Sequence, residues 1–249
     1  IAKALEIGGK RLLGSHKVHI SLLTSTPEGN SLLCIKENLK KAFYEARKAK
    51  PQDIVVVYLA GYGITLQKEG DLYCYLTKEA ISTDMSSPEI RSKSSVTCDE
   101  LAEWFNQIPS LRQIIILDTC AGGPLARQLT AKRYIPVEQI RAMETLKDRT
   151  GVYVLMGYTS DIVSYEACHC GESFLTHAIL TGIKGEALRD NEFLDIKNLF
   201  QYVSTEVSLM AGNIGGIEKP LIIVPDEDTF DIGRFTREDR ELIPSQGNL

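Results

Sequence analysis

Ile54-Val55-Val56-Val57-Tyr58-Leu59-Ala60 runs without a polar interruption and is rich in β-branched side chains. A run of that length and composition reads as a strand buried on both faces, as in parallel sheets covered by helices. Pro51-Gln52-Asp53 punctuates its start and Gly61-Tyr62-Gly63 follows it. Ile114-Ile115-Ile116-Leu117 and Val152-Tyr153-Val154-Leu155-Met156 repeat the pattern downstream. Between these runs, Ile35, Leu39, Ala42, Phe43 and Ala46 fall on one helical face, predicting an amphipathic helix over about 31–49. Further helices are expected at 2–13, at 99–106 with Trp104, at 173–183 and at 195–211. Strands are expected at Val18–Leu23 and, as part of a short hairpin, at Asp71–Thr77. Strands alternating with helices predict an α/β fold, doubly wound, with a mostly parallel sheet flanked by helices.

Composition agrees with a folded domain. The 249 residues are 43% hydrophobic and 24% charged, which excludes the disordered class and suits one large domain or two small ones. A net charge of −5 disfavours nonspecific nucleic-acid binding. Apolar runs stay far below the roughly 20 residues of a membrane span, so no membrane association is expected. The N-terminus lacks the basic-then-apolar pattern of a secretory signal. Six cysteines, at 34, 74, 98, 120, 168 and 170, are dispersed in a chain too long to need disulfide staples. They point to a reducing, cytoplasmic setting. Cys168-His169-Cys170 has no second ligand pair at zinc spacing, so neither a metal nor another cofactor is expected.

The segment 122–150 holds Arg127, Lys132, Arg133, Arg141, Lys147 and Arg149 and reads as a long basic loop with a helix near 136–146. Residues 225–249 read as a polar tail or the start of a further segment. The chain opens Ile1-Ala2-Lys3-Ala4-Leu5, without Met and already in a helical pattern, as a piece of a longer polypeptide would.

Ligands of open parallel sheets bind beyond the carboxyl ends of the strands. The three runs are followed there by Gly61-Tyr62-Gly63, by Asp118-Thr119-Cys120-Ala121-Gly122-Gly123 and by Thr159-Ser160-Asp161. A Cys on a tight, glycine-flanked turn suits a nucleophile, with backbone N–H groups aimed at a developing oxyanion. On the residue alone, a Cys at a strand end such as Cys120 is more often buried packing than a nucleophile, and Asp118 reads also as a helix cap or a magnesium ligand. No G-x-x-x-x-G-K-[ST] phosphate loop accompanies it.

In combination the motifs carry more. Tyr58-Leu59-Ala60-Gly61-Tyr62-Gly63 resembles the Ala-Gly-His-Gly strand end of caspase-like cysteine peptidases. Ile116-Leu117-Asp118-Thr119-Cys120-Ala121-Gly122 resembles their nucleophile motif, with the Asp two before the Cys pointing to the metacaspase and bacterial branch. The spacing of 120 − 62 = 58 residues is close to the roughly 50 of that family. Leu22-Leu23-Thr24 before a helix, Thr159-Ser160-Asp161, and Ser173-Phe174-Leu175-Thr176 entering a helix extend the resemblance over about residues 2–224.

The resemblance implies a caspase-like domain at 1–224 whose first sheet strand is missing from this chain. It implies Cys120 as nucleophile, Gly63 and Cys120 as oxyanion donors, and Asp118 with Asp161 as a pocket for a basic P1 residue, with Glu166 a possible addition. The implied partners are a protein or peptide substrate with basic residues, and other domains of a longer chain or a regulatory partner. The basic loop is then a place for processing after Arg127 or Arg133, or simply a solvated loop.

One departure stands out. The general-base histidine of the family falls at Tyr62. A phenol with pKa near 10 is only about one part in a thousand ionised at pH 7 and serves poorly as a base. His169 is the one other histidine whose loop borders the implied pocket. Two functions therefore stand side by side: a cysteine endopeptidase for Arg or Lys at P1, and a weak or inactive pseudoprotease used as a binding or regulatory module.

Overall fold

In the computed structural model, residues 1–66, 72–120, 152–157, 166–167, 172–213, 220–224 and 229–243 are described. The first half of the chain forms α1 (Ala2–Leu13), β1 (Leu23–Thr24), β2 (Leu32–Leu33), α2 (Lys36–Ala46), β3 (Ile54–Leu66) and β4 (Leu72–Leu76). Then come α3 (Pro88–Ser94), β5 (Ser95–Thr97), α4 (Cys98–Asn106), β6 (Arg112–Cys120) and β7 (Tyr153–Met156). The remainder forms β8 (Glu166–Ala167), β9 (Glu172–Ser173), α5 (Phe174–Thr181), β10 (Phe193–Asp195), α6 (Ile196–Asn213), β11 (Leu221–Ile223), β12 (Asp231–Arg234) and α7 (Arg237–Glu241). The chain divides into two compact units, 21–161 with 221–225, and 1–20 with 162–220 and 226–249.

The first of these units is a mixed six-stranded sheet in the order β11-β7-β6-β3-β4-β5. The three β-branched runs make its parallel centre, β3, β6 and β7. Antiparallel pairings flank them: β11 on β7, β4 on β3 and β5 on β4. Because β5 reverses again, it runs with the central three, and four of the six strands share one direction. Val55, Val57 and Leu59 stand in register with Gln113, Ile115 and Leu117 and so share a face with them. That face packs on Leu39 and Phe43 of α2 and on Leu101, Trp104 and Phe105 of α4. Phe43 meets Trp104 and Phe105 at ring-centroid distances of 5.1 and 5.2 Å. Thr97 caps α4 reciprocally with Glu100, and Lys36 Nζ lies 2.6 Å from Glu100 Oε1, tying α2 to α4.

Two sequence expectations change here. The first run was expected to end at Ala60 and the second at Leu117, but β3 continues to Leu66 and β6 to Cys120. The β3–β6 ladder persists to Tyr62 opposite Cys120, so Gly61–Tyr62 and Asp118–Cys120 are strand and not loop. The first run is also less buried than its pattern implies. Ile114–Leu117 are at most 1% exposed, whereas Ile54–Tyr58 are only half-buried. Among the described residues, the strand partner of β3 on the side away from β6 is β4, from Gly63 to Leu66.

In the other unit, α1 packs on β12, where Gly8 admits the ring of Phe235; a Cβ there would lie 2.2 Å from Phe235 Cζ. Arg11 grips the Asp239 carboxylate with two bonds of 2.9 Å. β10 pairs antiparallel with β12, so residues 231–241 of the polar C-terminal stretch are built into this unit. Of the expected strand at Val18–Leu23 only Leu23 is extended and paired. Ser15–Lys17 form a 3₁₀ turn and Val18 is positioned against Gly9 of α1 instead. Among the described residues, no helix is long and apolar enough to cross a membrane.

Candidate active site

The β3–β6 register decides what the two motifs can do together. Ala60 stands opposite Asp118, Gly61 opposite Thr119 and Tyr62 opposite Cys120. The residue at the family's histidine position is therefore the direct ladder neighbour of the candidate nucleophile, although 58 residues separate them in sequence. Tyr62 itself is 58% exposed.

Local backbone chemistry shapes this end of the sheet. Gly61 adopts φ +139°, a conformation that L side chains rarely enter. It sits in the ladder with β6, two residues before the ladder with β4 begins at Gly63. Gly63 is required for a different reason: a Cβ there would lie 2.5 Å from Tyr73 Oη, which is itself fully buried. Tyr73 Oη lies 2.9 Å from Thr119 Oγ1, and Tyr75 Oη donates to the Ala60 carbonyl at 2.9 Å. Two tyrosines from β4 thus secure the ends of β3 and β6 beside Tyr62 and Cys120. Burial pushes both phenols well above the ordinary tyrosine value, so each acts as a neutral hydrogen-bonding group.

Asp118 is 9% exposed, and Tyr58 donates to its Oδ2 at 2.8 Å. Tyr58 and Asp118 lie on the sheet face opposite Leu59 and Leu117, as alternation requires.

The other described cysteines are poorly suited to nucleophilic chemistry. Burial raises the Cys34 thiol above its ordinary value, with Sγ 3.8 Å from Tyr75 Oη, and Cys74 and Cys98 are buried in the core. Asp161, His169, the Cys168-His169-Cys170 cluster and the basic segment 122–150 lie outside the described residues. Glu166 is placed only by the backbone of β8. Among the described residues, no three His, Cys, Asp or Glu side chains gather as a metal site.

Tyr58, Tyr73, Tyr75 and Thr119 were not singled out from sequence. The Tyr73-Cys74-Tyr75 alternation was a usable signal, since it puts two phenols on one face of a strand whose Tyr75 pairs with Gly63.

No family model matches the chain, and no curated protein matches it. The solved structure of protein GSU0716 from Geobacter sulfurreducens is similar over 78% of this chain and 75% of that one. The TM-score is 0.45 and the sequence identity 11%. A likeness this distant assigns neither family nor function.

Proposed function

We propose that the chain is a caspase-like cysteine endopeptidase domain that cleaves after Arg or Lys in a cytoplasmic setting. The ladder pairing of Tyr62 with Cys120, at the carboxyl end of two parallel strands, is the observation that supports it most directly. In this reading Cys120 attacks the scissile carbonyl, the N–H groups of Gly63 and Cys120 receive the oxyanion, and Asp118 with Asp161 binds the basic P1 side chain. Tyr62 replaces the imidazole that would deprotonate the thiol and protonate the leaving amine. Loss of such a base costs a factor of about 10² to 10⁴, so turnover is slow. Tyr62 also supports the second reading, a pseudoprotease that holds a basic peptide without cleaving it.

Fluorogenic peptides ending in Arg or Lys separate the two. The parent protein is expected to exceed its Cys120→Ala variant, and Tyr62→His to raise the rate by about 10² or more. Cleavage by Tyr62→His alone would establish the pseudoprotease reading. Identical background rates for parent, Cys120→Ala and Tyr62→His would overturn the peptidase.

A further inference from the structure

The side chain of Tyr73 links three strands at the site end of the sheet. In the β3–β4 ladder Tyr73 stands opposite Thr65. Its hydroxyl nevertheless lies 2.9 Å from Thr119 Oγ1, and Thr119 stands opposite Gly61 in the β3–β6 ladder. The ring therefore runs diagonally over β3 and crosses it at Gly63, where a Cβ would lie 2.5 Å from Oη and 2.8 Å from Cε2. Tyr73 is 1% exposed and Thr119 5%, so no solvent competes for the bond between their hydroxyls.

The two points that the phenol holds are those that carry the proposed oxyanion donors. Cys120 follows Thr119 directly, so anchoring Thr119 restrains the peptide plane that bears the Cys120 N–H. Gly63, which bears the other N–H, lies against the ring itself. The β3–β6 ladder extends to Tyr62 opposite Cys120, one residue short of Gly63. Glycines at 61 and 63 give this stretch of β3 no side chains of their own to restrain it. Tyr73 supplies that restraint from the core, where it belongs to the main apolar cluster.

We propose that Tyr73 is a positioning residue that sets the separation of the Gly63 and Cys120 N–H groups. It rests on the peptidase reading and touches no substrate; it acts through Gly63 and Thr119. Oxyanion donors work only when aimed at the place where charge develops, so a small displacement of either one is costly. The consequence is selective. A reaction of the Cys120 thiol that places negative charge on a carbonyl oxygen depends on Tyr73, whereas a displacement by the same thiol that builds no oxyanion does not.

The test compares two thiol reagents on the parent, Tyr73→Phe, Thr119→Val and the double variant, with urea unfolding of each and Cys120→Ala as baseline. An Arg-terminated peptide aldehyde adds to the thiol as a hemithioacetal: the S–C bond forms, the C=O becomes C–OH and the thiol proton ends on that oxygen. Iodoacetamide alkylates the thiol, releasing iodide and a proton to the buffer, with no oxyanion. Tyr73→Phe and Thr119→Val are each expected to weaken aldehyde binding about ten-fold, while alkylation of Cys120, mapped by mass spectrometry, stays within about two-fold. The double variant leaves neither hydroxyl buried without the other, so its stability is expected to recover toward the parent while aldehyde affinity stays low. Unchanged aldehyde affinity in Tyr73→Phe, or affinity restored along with stability in the double variant, would overturn the positioning role and leave the peptidase reading standing. An equal fall in alkylation would show a general loss of structure and would also overturn it. An aldehyde that fails to add to Cys120 in the parent would overturn both.

Discussion

Gly63→Ala is the substitution for which the structure makes the sharpest energetic statement. The new Cβ would lie 2.5 Å from Tyr73 Oη, 2.8 Å from Cε2 and 2.9 Å from Cζ. Tyr73 is 1% exposed, so its ring has no solvent to retreat into. Overpacking of this kind costs about 1–3 kcal/mol, and displacing the phenol from Thr119 adds about 1 kcal/mol. The expected total is about 2–4 kcal/mol. Gly63 has no positive φ, so the penalty is steric. Gly61→Ala is the contrasting case: Tyr75 Oη lies 3.6 Å away, and the cost comes from φ +139°. Urea unfolding of the parent, Gly63→Ala, Tyr73→Phe and the double variant measures the coupling. Removing Oη relieves the closest of the three contacts, so Tyr73→Phe should recover about 1 kcal/mol in the Gly63→Ala background while destabilising the parent. Strict additivity, or a Gly63→Ala variant within about 0.5 kcal/mol of the parent, would refute this account of how the site end of β3 is held.

Other predictions probe the remaining supports. The Arg11 guanidinium, with Thr236, lowers the Asp239 carboxyl to about 2. A depressed carboxylate stabilises the fold above its unfolded value near 4 and loses that contribution as pH falls toward 2. Allowing for the half-exposed Arg11, Asp239→Asn should cost about 1–2 kcal/mol at pH 7, and the gap should close between pH 4 and 2 in urea titrations. A gap that stays constant over that range would contradict the linkage. Gly8→Ala should lower stability by about 1–3 kcal/mol despite alanine's better helix propensity, because Phe235 fills the space; Phe235→Leu should soften the loss in thermal melts. Tyr58→Phe removes a bond to a buried carboxylate and should cost about 1.5–3 kcal/mol by urea unfolding, whereas a neutral result would place Asp118 in water.

The parallel centre of the sheet was legible because β-branched runs have few alternatives inside an α/β chain. The ends of those strands were not, since Gly61 reads as a turn while at φ +139° it keeps β3 extended through a bend. β5 and β11 have three residues each, too few for periodicity to show. The polar stretch after 225 gave no signal because β12 is made by nonlocal partners, β10 in its ladder and α1 through Gly8. At the site, the two motifs could be read from local sequence, but their one-to-one register could not. Nor could the Tyr58–Asp118 bond, which joins residues 60 apart.

Labelling with an Arg-based, thiol-reactive peptide probe, mapped by mass spectrometry, tests the proposed site most directly. The account predicts modification at Cys120 in preference to the other five cysteines, competed by Arg-containing peptide and lost in Cys120→Ala. Labelling spread over several cysteines, or retained at full extent in Cys120→Ala, would contradict it.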